Sequence, residues 1–439
     1  MKIVAFVPAK GSSERVPSKN LRILDGEYLF RRKLKQLLSC PRIDEVWLDT
    51  ESDDLISEVK DLPVRIMKRD VELATNATDG HEMFENECHQ VPDADVVIQA
   101  LCTAPFVDEY TINKGLDQLL NHPEYDSLVA VTRTRQYSWT SGEPDYGRGR
   151  IPNSADIPSS TIEAMSLYIV LSSSAEYPKK RFGGKPFLLE LSARESIDIN
   201  YQEDLLDAEM ICRGERMTEA NYFRILKHNL SSSILSDVTK DLGLDCTLNP
   251  RLRPCSTGKI LGRVRTLRLR GLKGAELDTE RSDAWKGIYN ALDSYKFVRS
   301  GDVIVCENEL PERAYFGDLN CHLAMRSGAV GVVVDGFTRD VENVSAMGLP
   351  VYARGAWSND IKYEGTTVAY NKPIKVGDVE AKNDDIVFAD SEGVLIIPGS
   401  YWANILHQAL STVENETRIR NGLLQGKSTE EIVESFGFF

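Results

Sequence analysis

No run in the 439-residue sequence approaches the roughly 18 consecutive apolar residues of a membrane helix, so a helical membrane protein is not expected. The first residues enter an apolar run directly, with no cationic stretch before a long apolar one, and no secretory signal is expected. No two of the eight cysteines (40, 88, 102, 212, 246, 255, 306 and 321) are spaced C-x-x-C. A zinc ribbon is therefore not expected, and free thiols in a reducing cytoplasm are. The six histidines show no ligand spacing. Cations are scarce, 52 Lys and Arg against 67 Asp and Glu, for a net charge of -15. That balance argues against a nucleic-acid surface and leaves anionic substrates to local cationic patches. No G-x-G-x-x-G is present, and Lys19 lacks the neighbours of a Walker A loop.

What is present is a globular composition, 42% hydrophobic, in a chain too long for one comfortable core. Residues 1–210 alternate short apolar strands (2–7, 46–50, 64–67, 95–99, 127–132, 166–170 and 187–190) with helical segments (30–38, 53–61, 78–90, 107–120 and 203–212). Such alternation predicts an α/β domain with a mostly parallel, doubly wound, Rossmann-like sheet. Segment 136–162 reads as an irregular flap. A polar bridge, 213–229, leads to an amphipathic stretch, 230–242, and a strand-rich second half. The boundary is placed near 220, giving domains 1–220 and 221–439.

The apolar run Ile3–Val7 is followed by Pro8-Ala9-Lys10-Gly11-Ser12-Ser13-Glu14-Arg15-Val16-Pro17-Ser18-Lys19-Asn20. Loops after a first parallel strand meet ligands, and small residues with three cations suit a polyphosphate. The stretch resembles the P-A-R-G-G-S-K-R-x-P-x-K-N signature of sugar-acid cytidylyltransferases, the CMP-sialic acid and CMP-Kdo synthetases. Arg69-Asp70-Val71-Glu72-Leu73-Ala74, Gln99 through Thr103-Ala104-Pro105, Asp126-Ser127 and Asp198-Ile199-Asn200 to Asp204-Leu205 resemble further family motifs in order. The resemblance implies a nucleotidyltransferase. CTP would be held by Pro8, Ala9, Lys10, Gly11, Ser12, Arg15, Lys19, Asn20 and Arg69, with Lys19 catalytic. Gln99 and Thr103 would bind substrate, and Asp198 with Asn200 would bind Mg²⁺ or Mn²⁺. The alternatives are a turn or N-cap aspartate at 198, an ion pair at Arg69 and a strand-end hydrogen bond at Gln99. Glu14 stands where the family has Lys, and Asn200 where it has a second metal-binding Asp, which weakens a cation site.

The second half carries Gly317-Asp318-Leu319-Asn320 and Arg339-Asp340, with twenty residues between Asp318 and Arg339. A loop, a helix, a strand and a second loop fit that spacing and return both ends to one sheet edge. The pattern resembles the D-x20-R-D signature of the RraA-like family, which includes 4-hydroxy-4-methyl-2-oxoglutarate aldolases. The resemblance implies an α/β domain in which Asp340 binds Mg²⁺ (or Mn²⁺) directly and Asp318 through water. Arg339, catalytic with Asp340, would hold a pyruvyl group and stabilise its enolate, and the N–H groups of Leu319 and Asn320 would take its carboxylate. The alternative is a turn pair in a non-catalytic assembly module. Together the two resemblances imply a bifunctional cytoplasmic enzyme of surface-polysaccharide sugar synthesis. It would activate a 3-deoxy-2-ulosonic acid with CTP and carry a pyruvate aldolase. Its partners would be small molecules, not nucleic acid or membrane, and it would form a homo-oligomer, with trimer or hexamer favoured. The arginines from Arg263 to Arg270 read as a solvated or subunit-facing strand.

Overall fold

The computed structural model describes residues 1–437 apart from Glu14 and Asn76. The chain forms two compact units, Met1–Met210 and Ile211–Phe439. Both are α/β.

The first unit is built on a seven-stranded sheet. Its strands are β1 (Ile3–Pro8), β2 (Glu45–Thr50), β3 (Arg65–Lys68), β4 (Val96–Ala100), β5 (Ser127–Thr134), β6 (Ser160–Leu171) and β7 (Pro186–Glu190). Their spatial order is β7-β5-β6-β4-β1-β2-β3. All neighbours are parallel except β6, which runs antiparallel to β4 and β5. Strand β1 has apolar side chains on both faces, and Ile3 to Val7 are at most 4% exposed. Such a strand belongs in the centre of a sheet covered on both faces. The helix Gly80–Gln90 starts on a capping box in which Asp79 and Glu82 each bond the other's backbone N–H. Strand β6 extends further back than the expected 166–170 and takes the end of the expected flap. A register shift between Glu163 and Tyr168 interrupts its apolar alternation there.

The second unit has a nine-stranded sheet. Its strands are β8 (Arg253–Pro254), β9 (Ile260–Gly271), β10 (Asp302–Asn308), β11 (Ala314–Phe316), β12 (Gly331–Thr338), β13 (Val351–Ala356), β14 (Gly365–Tyr370), β15 (Ile386–Ala389) and β16 (Val394–Ile397). The path runs β8-β13-β12-β10-β9-β15-β16, with β11 on β12 and β14 on β9. Strands β9, β10, β12 and β13 are mutually parallel neighbours.

The polar stretch 213–229 is largely helical, within the helix Gln202–Leu226. Its inward face is held by charge as well as apolar contact. Arg216 pairs with Asp384 at 3.1 Å, and Glu219 takes Arg263 Nε at 2.7 Å. Hydrophobic periodicity does not register a face of that kind. For the same reason Arg265 is not solvated, although Arg263, Arg268 and Arg270 on the same strand stay part-exposed. Arg265 is 3% exposed and pairs with the fully buried Asp302 at 2.9 Å. Among the described residues no helix is long and apolar enough to cross a membrane.

Candidate active sites

In the first unit the loop after β1 is fixed from both sides. Ala9 N–H continues the ladder to Asp49 O at 2.9 Å, and Gly11 N–H donates to Glu51 Oε1 at 2.7 Å. A Cβ on Gly11 would lie 2.6 Å from the Ser52 Cβ, so this close approach requires glycine. Asn20, 7% exposed, donates to Lys10 O at 2.7 Å and accepts from the Cys102 thiol at 3.1 Å. Lys19 Nζ donates to Ile199 O at 2.8 Å, and Ile199 N–H donates to Thr103 O at 2.8 Å. The segment Asp198-Ile199-Asn200 is thereby clamped between the loop after β1 and the loop after β4, both at carboxyl ends of strands.

Asp204 caps the turn that follows, accepting from Asn200 N–H at 2.8 Å and Tyr201 N–H at 2.7 Å. The Asn200 amide donates to Asp198 Oδ2. Asp198 Oδ1 is buried and has no hydrogen-bond partner. Burial lowers the Lys19 pKa below the usual lysine value, so its charge is poorly solvated. Arg15 is exposed and lies over the Tyr201 ring at 5.7 Å, while Ser12 is exposed on the loop. Glu14 lies outside the described residues.

Arg69 and Gln99 are elsewhere occupied. Arg69, 3% exposed, grips Asp49 with Nε to Oδ1 at 2.8 Å and Nη2 to Oδ2 at 2.6 Å. Gln99 is fully buried and donates to Glu87 Oε2 at 2.7 Å. Burial, then the Asp49 charge, pushes the Glu87 carboxyl well above its usual range. One guanidinium and two buried carboxyls thus share this part of the core. In this arrangement Arg69 and Gln99 take the ion pair and hydrogen bond that stood as their alternatives.

In the second unit, β11 and β12 pair in parallel and bring Phe316 beside Thr338. Thr338 Oγ1 and Arg339 N–H both donate to Phe316 O, at 2.8 and 2.9 Å. The two halves of the motif meet at this point. Gly317 precedes the helix Asp318–Ser327, and Asp340 precedes the helix Val341–Met347 in a left-handed conformation (φ 55°). Asp318 N–H donates to Asp340 Oδ2 at 3.3 Å. A Cβ on Gly317 would fall 2.5 Å from Asp340 Oδ2 and 3.1 Å from Arg339 Cγ, so a side chain here would displace the Asp340 carboxylate. Arg339 pairs with Asp360 at 3.0 Å, a partner outside the motif that nothing in the sequence pattern signals.

The expected carboxylate cradle is only partly available. Leu319 N–H donates to Asp318 Oδ1 at 2.7 Å, because an aspartate in the first helical turn satisfies the open donors itself. The Asn320 side chain supports the fold, donating to Tyr315 O at 3.1 Å and accepting from Tyr295 at 3.1 Å. His322 Nδ1 lies 2.9 Å from Asp318 O, one helical turn back.

No three His, Cys, Asp or Glu side chains converge as a metal cage among the described residues. Mg²⁺ does not need one. It keeps several waters and takes one or two carboxylates together with substrate oxygens. The unpartnered Asp198 Oδ1 fits such an ion, as does the Asp340 carboxylate, which reaches the backbone N–H of Asp318 at the same corner.

Residues 4–142 match the cytidylyltransferase family, and residues 232–396 match the RraA-like family, described as aldolase/RraA. The chain joins a cytidylyltransferase-like half to an RraA-like half. Protein DlpA of Legionella pneumophila subsp. pneumophila is 27% identical over 47% of this chain and 32% of its own length. The N-acylneuraminate cytidylyltransferase of Oncorhynchus mykiss is 22% identical over 54% of this chain and 55% of its own. A putative 4-hydroxy-4-methyl-2-oxoglutarate aldolase of Halalkalibacterium halodurans is 34% identical over 25% of this chain and 52% of its own. The chain thus spans about half or less of the length of these curated relatives.

Proposed function

We propose that the chain is a bifunctional cytoplasmic enzyme of surface-polysaccharide sugar synthesis. Its first half would convert a 3-deoxy-2-ulosonic acid and CTP to the CMP-sugar and pyrophosphate. The observation that carries this reading is the clamp from Lys19 to Ile199 O at 2.8 Å, which holds a phosphate-suited loop beside Asp198 and Asn200. Lys10, Arg15 and Lys19 would offset the charge of the triphosphate and of the leaving pyrophosphate. Gly11 and Ser12 keep the loop small enough for close approach. Asp198, with Asn200 as a weaker neutral partner, would hold Mg²⁺, which supplies charge neutralisation at the phosphates when bound. The sugar acid's anomeric oxygen would attack the α-phosphorus in line with the leaving group. Pyrophosphate release from CTP across a panel of ulosonic acids tests the reading. No release with any of them refutes it.

The second half would be a divalent-metal pyruvate aldolase. Asp318 and Asp340 would hold the ion, which acts as a Lewis acid on the pyruvyl oxygens when bound. Arg339 would orient the pyruvyl group and balance the developing enolate. The product class of such an aldol addition is the substrate class of the transferase, since ulosonic acids arise by adding a pyruvate unit to an aldehyde. A second reading makes this half a non-catalytic assembly module, and the occupied Leu319 N–H favours it. Pyruvate release from 4-hydroxy-2-oxo acids, abolished in Arg339→Ala, supports the aldolase. Silence across a broad aldol panel supports the module. A homo-oligomer, trimer or hexamer, is proposed under either.

A further inference from the structure

We propose that Asp360 is the positioning residue of the second site, fixing the Arg339 guanidinium so that its Nη2 edge faces a pyruvyl group. The inference rests on the aldolase reading above. Asp360 Oδ2 meets Arg339 Nη1 at 3.0 Å, and the other carboxylate oxygen accepts from Lys362 N–H at 2.6 Å. Both carboxylate oxygens are thus engaged, one by the backbone and one by the arginine. The backbone around it is stitched to the buried strand β11. Ala314 N–H donates to Asn359 O at 2.9 Å, and Ile361 N–H donates to Ala314 O at 3.0 Å. The partner of Arg339 therefore belongs to a rigid part of the unit.

The other edges of the guanidinium are closed off in turn. Nε is buried without a hydrogen-bond acceptor, 3.6 Å from Asp340 Oδ2. It lies against Gly317, where a Cβ would stand 3.2 Å away. Nη1 belongs to Asp360. Among the described residues, Nη2 has no protein acceptor and, unlike the buried Nε, belongs to a side chain end open to solvent, the side chain being 39% exposed. An open guanidinium N–H of this kind is suited to one oxygen of a carboxylate or an enolate.

Stability does not account for the pair, because ion pairs this exposed contribute little. Competition does. Two carboxylates flank one guanidinium, and Asp340 is the one assigned to the cation. Asp360 keeps Arg339 from closing onto Asp340 and neutralising it.

The test uses the full chain with Mg²⁺ and oxalate, a planar dianion that mimics a pyruvate enolate. Oxalate binding is read by calorimetry and pyruvate release from 4-hydroxy-2-oxo acids by a coupled assay. Asp360→Asn is expected to weaken oxalate at least about tenfold and to raise KM more than it lowers kcat. Asp360→Glu should recover part of both losses, which also answers the case in which the Asn variant fails to fold. In an Arg339→Ala background Asp360→Asn should add nothing, because the effect passes through the arginine. Unchanged oxalate binding in Asp360→Asn, or an equal loss in both backgrounds, overturns the inference and leaves the aldolase reading standing. A wild-type chain that neither binds oxalate nor releases pyruvate overturns both.

Discussion

Lys33 offers a test of the first unit that depends on electrostatics alone. It is fully buried in the helix Leu29–Leu38, and its ammonium donates to Val107 O in the loop after β4. Burial first, and then the neighbouring Arg32 charge, push its pKa from 10.5 down to about 7. At about 1.36 kcal/mol per pH unit that interval corresponds to roughly 5 kcal/mol. Lys33→Met removes the penalty but strands Val107 O, a cost of about 1–3 kcal/mol. The variant should be the more stable by about 2–4 kcal/mol at pH 6.5, where lysine is charged in both states. Between about 7 and 10.5 the unfolded chain binds more protons at this site than the folded one. Wild-type stability should therefore rise with pH across that window, by up to about 1.4 kcal/mol per pH unit from this group, and the variant's advantage should shrink. Urea unfolding at pH 6.5 and 9, followed by hydrogen exchange of peptides from residues 1–210, scores this unit separately from the other. A less stable variant at pH 6.5 refutes the reasoning, and so does an advantage that does not shrink at pH 9.

Three further outcomes are expected. Asn200→Asp replaces an amide that donates to Asp198 with a second carboxylate, and should lower several-fold the Mg²⁺ concentration needed for pyrophosphate release; an unchanged titration counts against Asp198 as the metal ligand. Lys19, with its pKa lowered by burial, should give the transferase an alkaline limb below the usual lysine value of 10.5, lost as the ammonium deprotonates on raising the pH. Lys19→Arg should move that limb out of range, and a limb that stays in place assigns it to another group. Gly317→Ala drives a methyl group to 2.5 Å from Asp340 Oδ2 and should cost at least about tenfold in pyruvate release while far-UV circular dichroism stays unchanged; full activity would show that the corner is not used.

The parts of the molecule legible in the sequence were those written in apolar alternation or in glycine. The strands from Ile3 to Leu189 stand close to where alternation put them, because a buried strand must be apolar wherever its neighbours lie. Motif spacing likewise brought Asp318 and Asp340 together, since a loop, a helix and a parallel strand return to the same edge. What escaped was carried by charge. The helix through 213–226 pairs its polar face with Arg263 and Asp384, and Arg265 is buried on Asp302. An ion pair between distant residues leaves no period in either segment. Arg69 shows the same limit from the other side. Its motif was visible, but the buried Asp49 that occupies it decides what it touches.

Both candidate sites share a construction that explains why their completing contacts were hidden. In each, a motif loop leaves the carboxyl end of a strand and presents a cation, and the segment holding that cation comes from elsewhere in its unit. Lys19 is held by the backbone of Ile199, and Arg339 by the carboxylate of Asp360. A backbone carbonyl places no demand on the residue that carries it, so Ile199 has no signature of its own. A lone aspartate such as Asp360 has no signature either. The difference in holder has a chemical consequence. A carbonyl offers Lys19 a neutral acceptor and would leave its full charge for a triphosphate, while burial lowers its pKa. A carboxylate neutralises part of Arg339 and fixes its plane, which suits a site where direction matters more than net charge. Phosphoryl transfer draws on the first property and enolate recognition on the second.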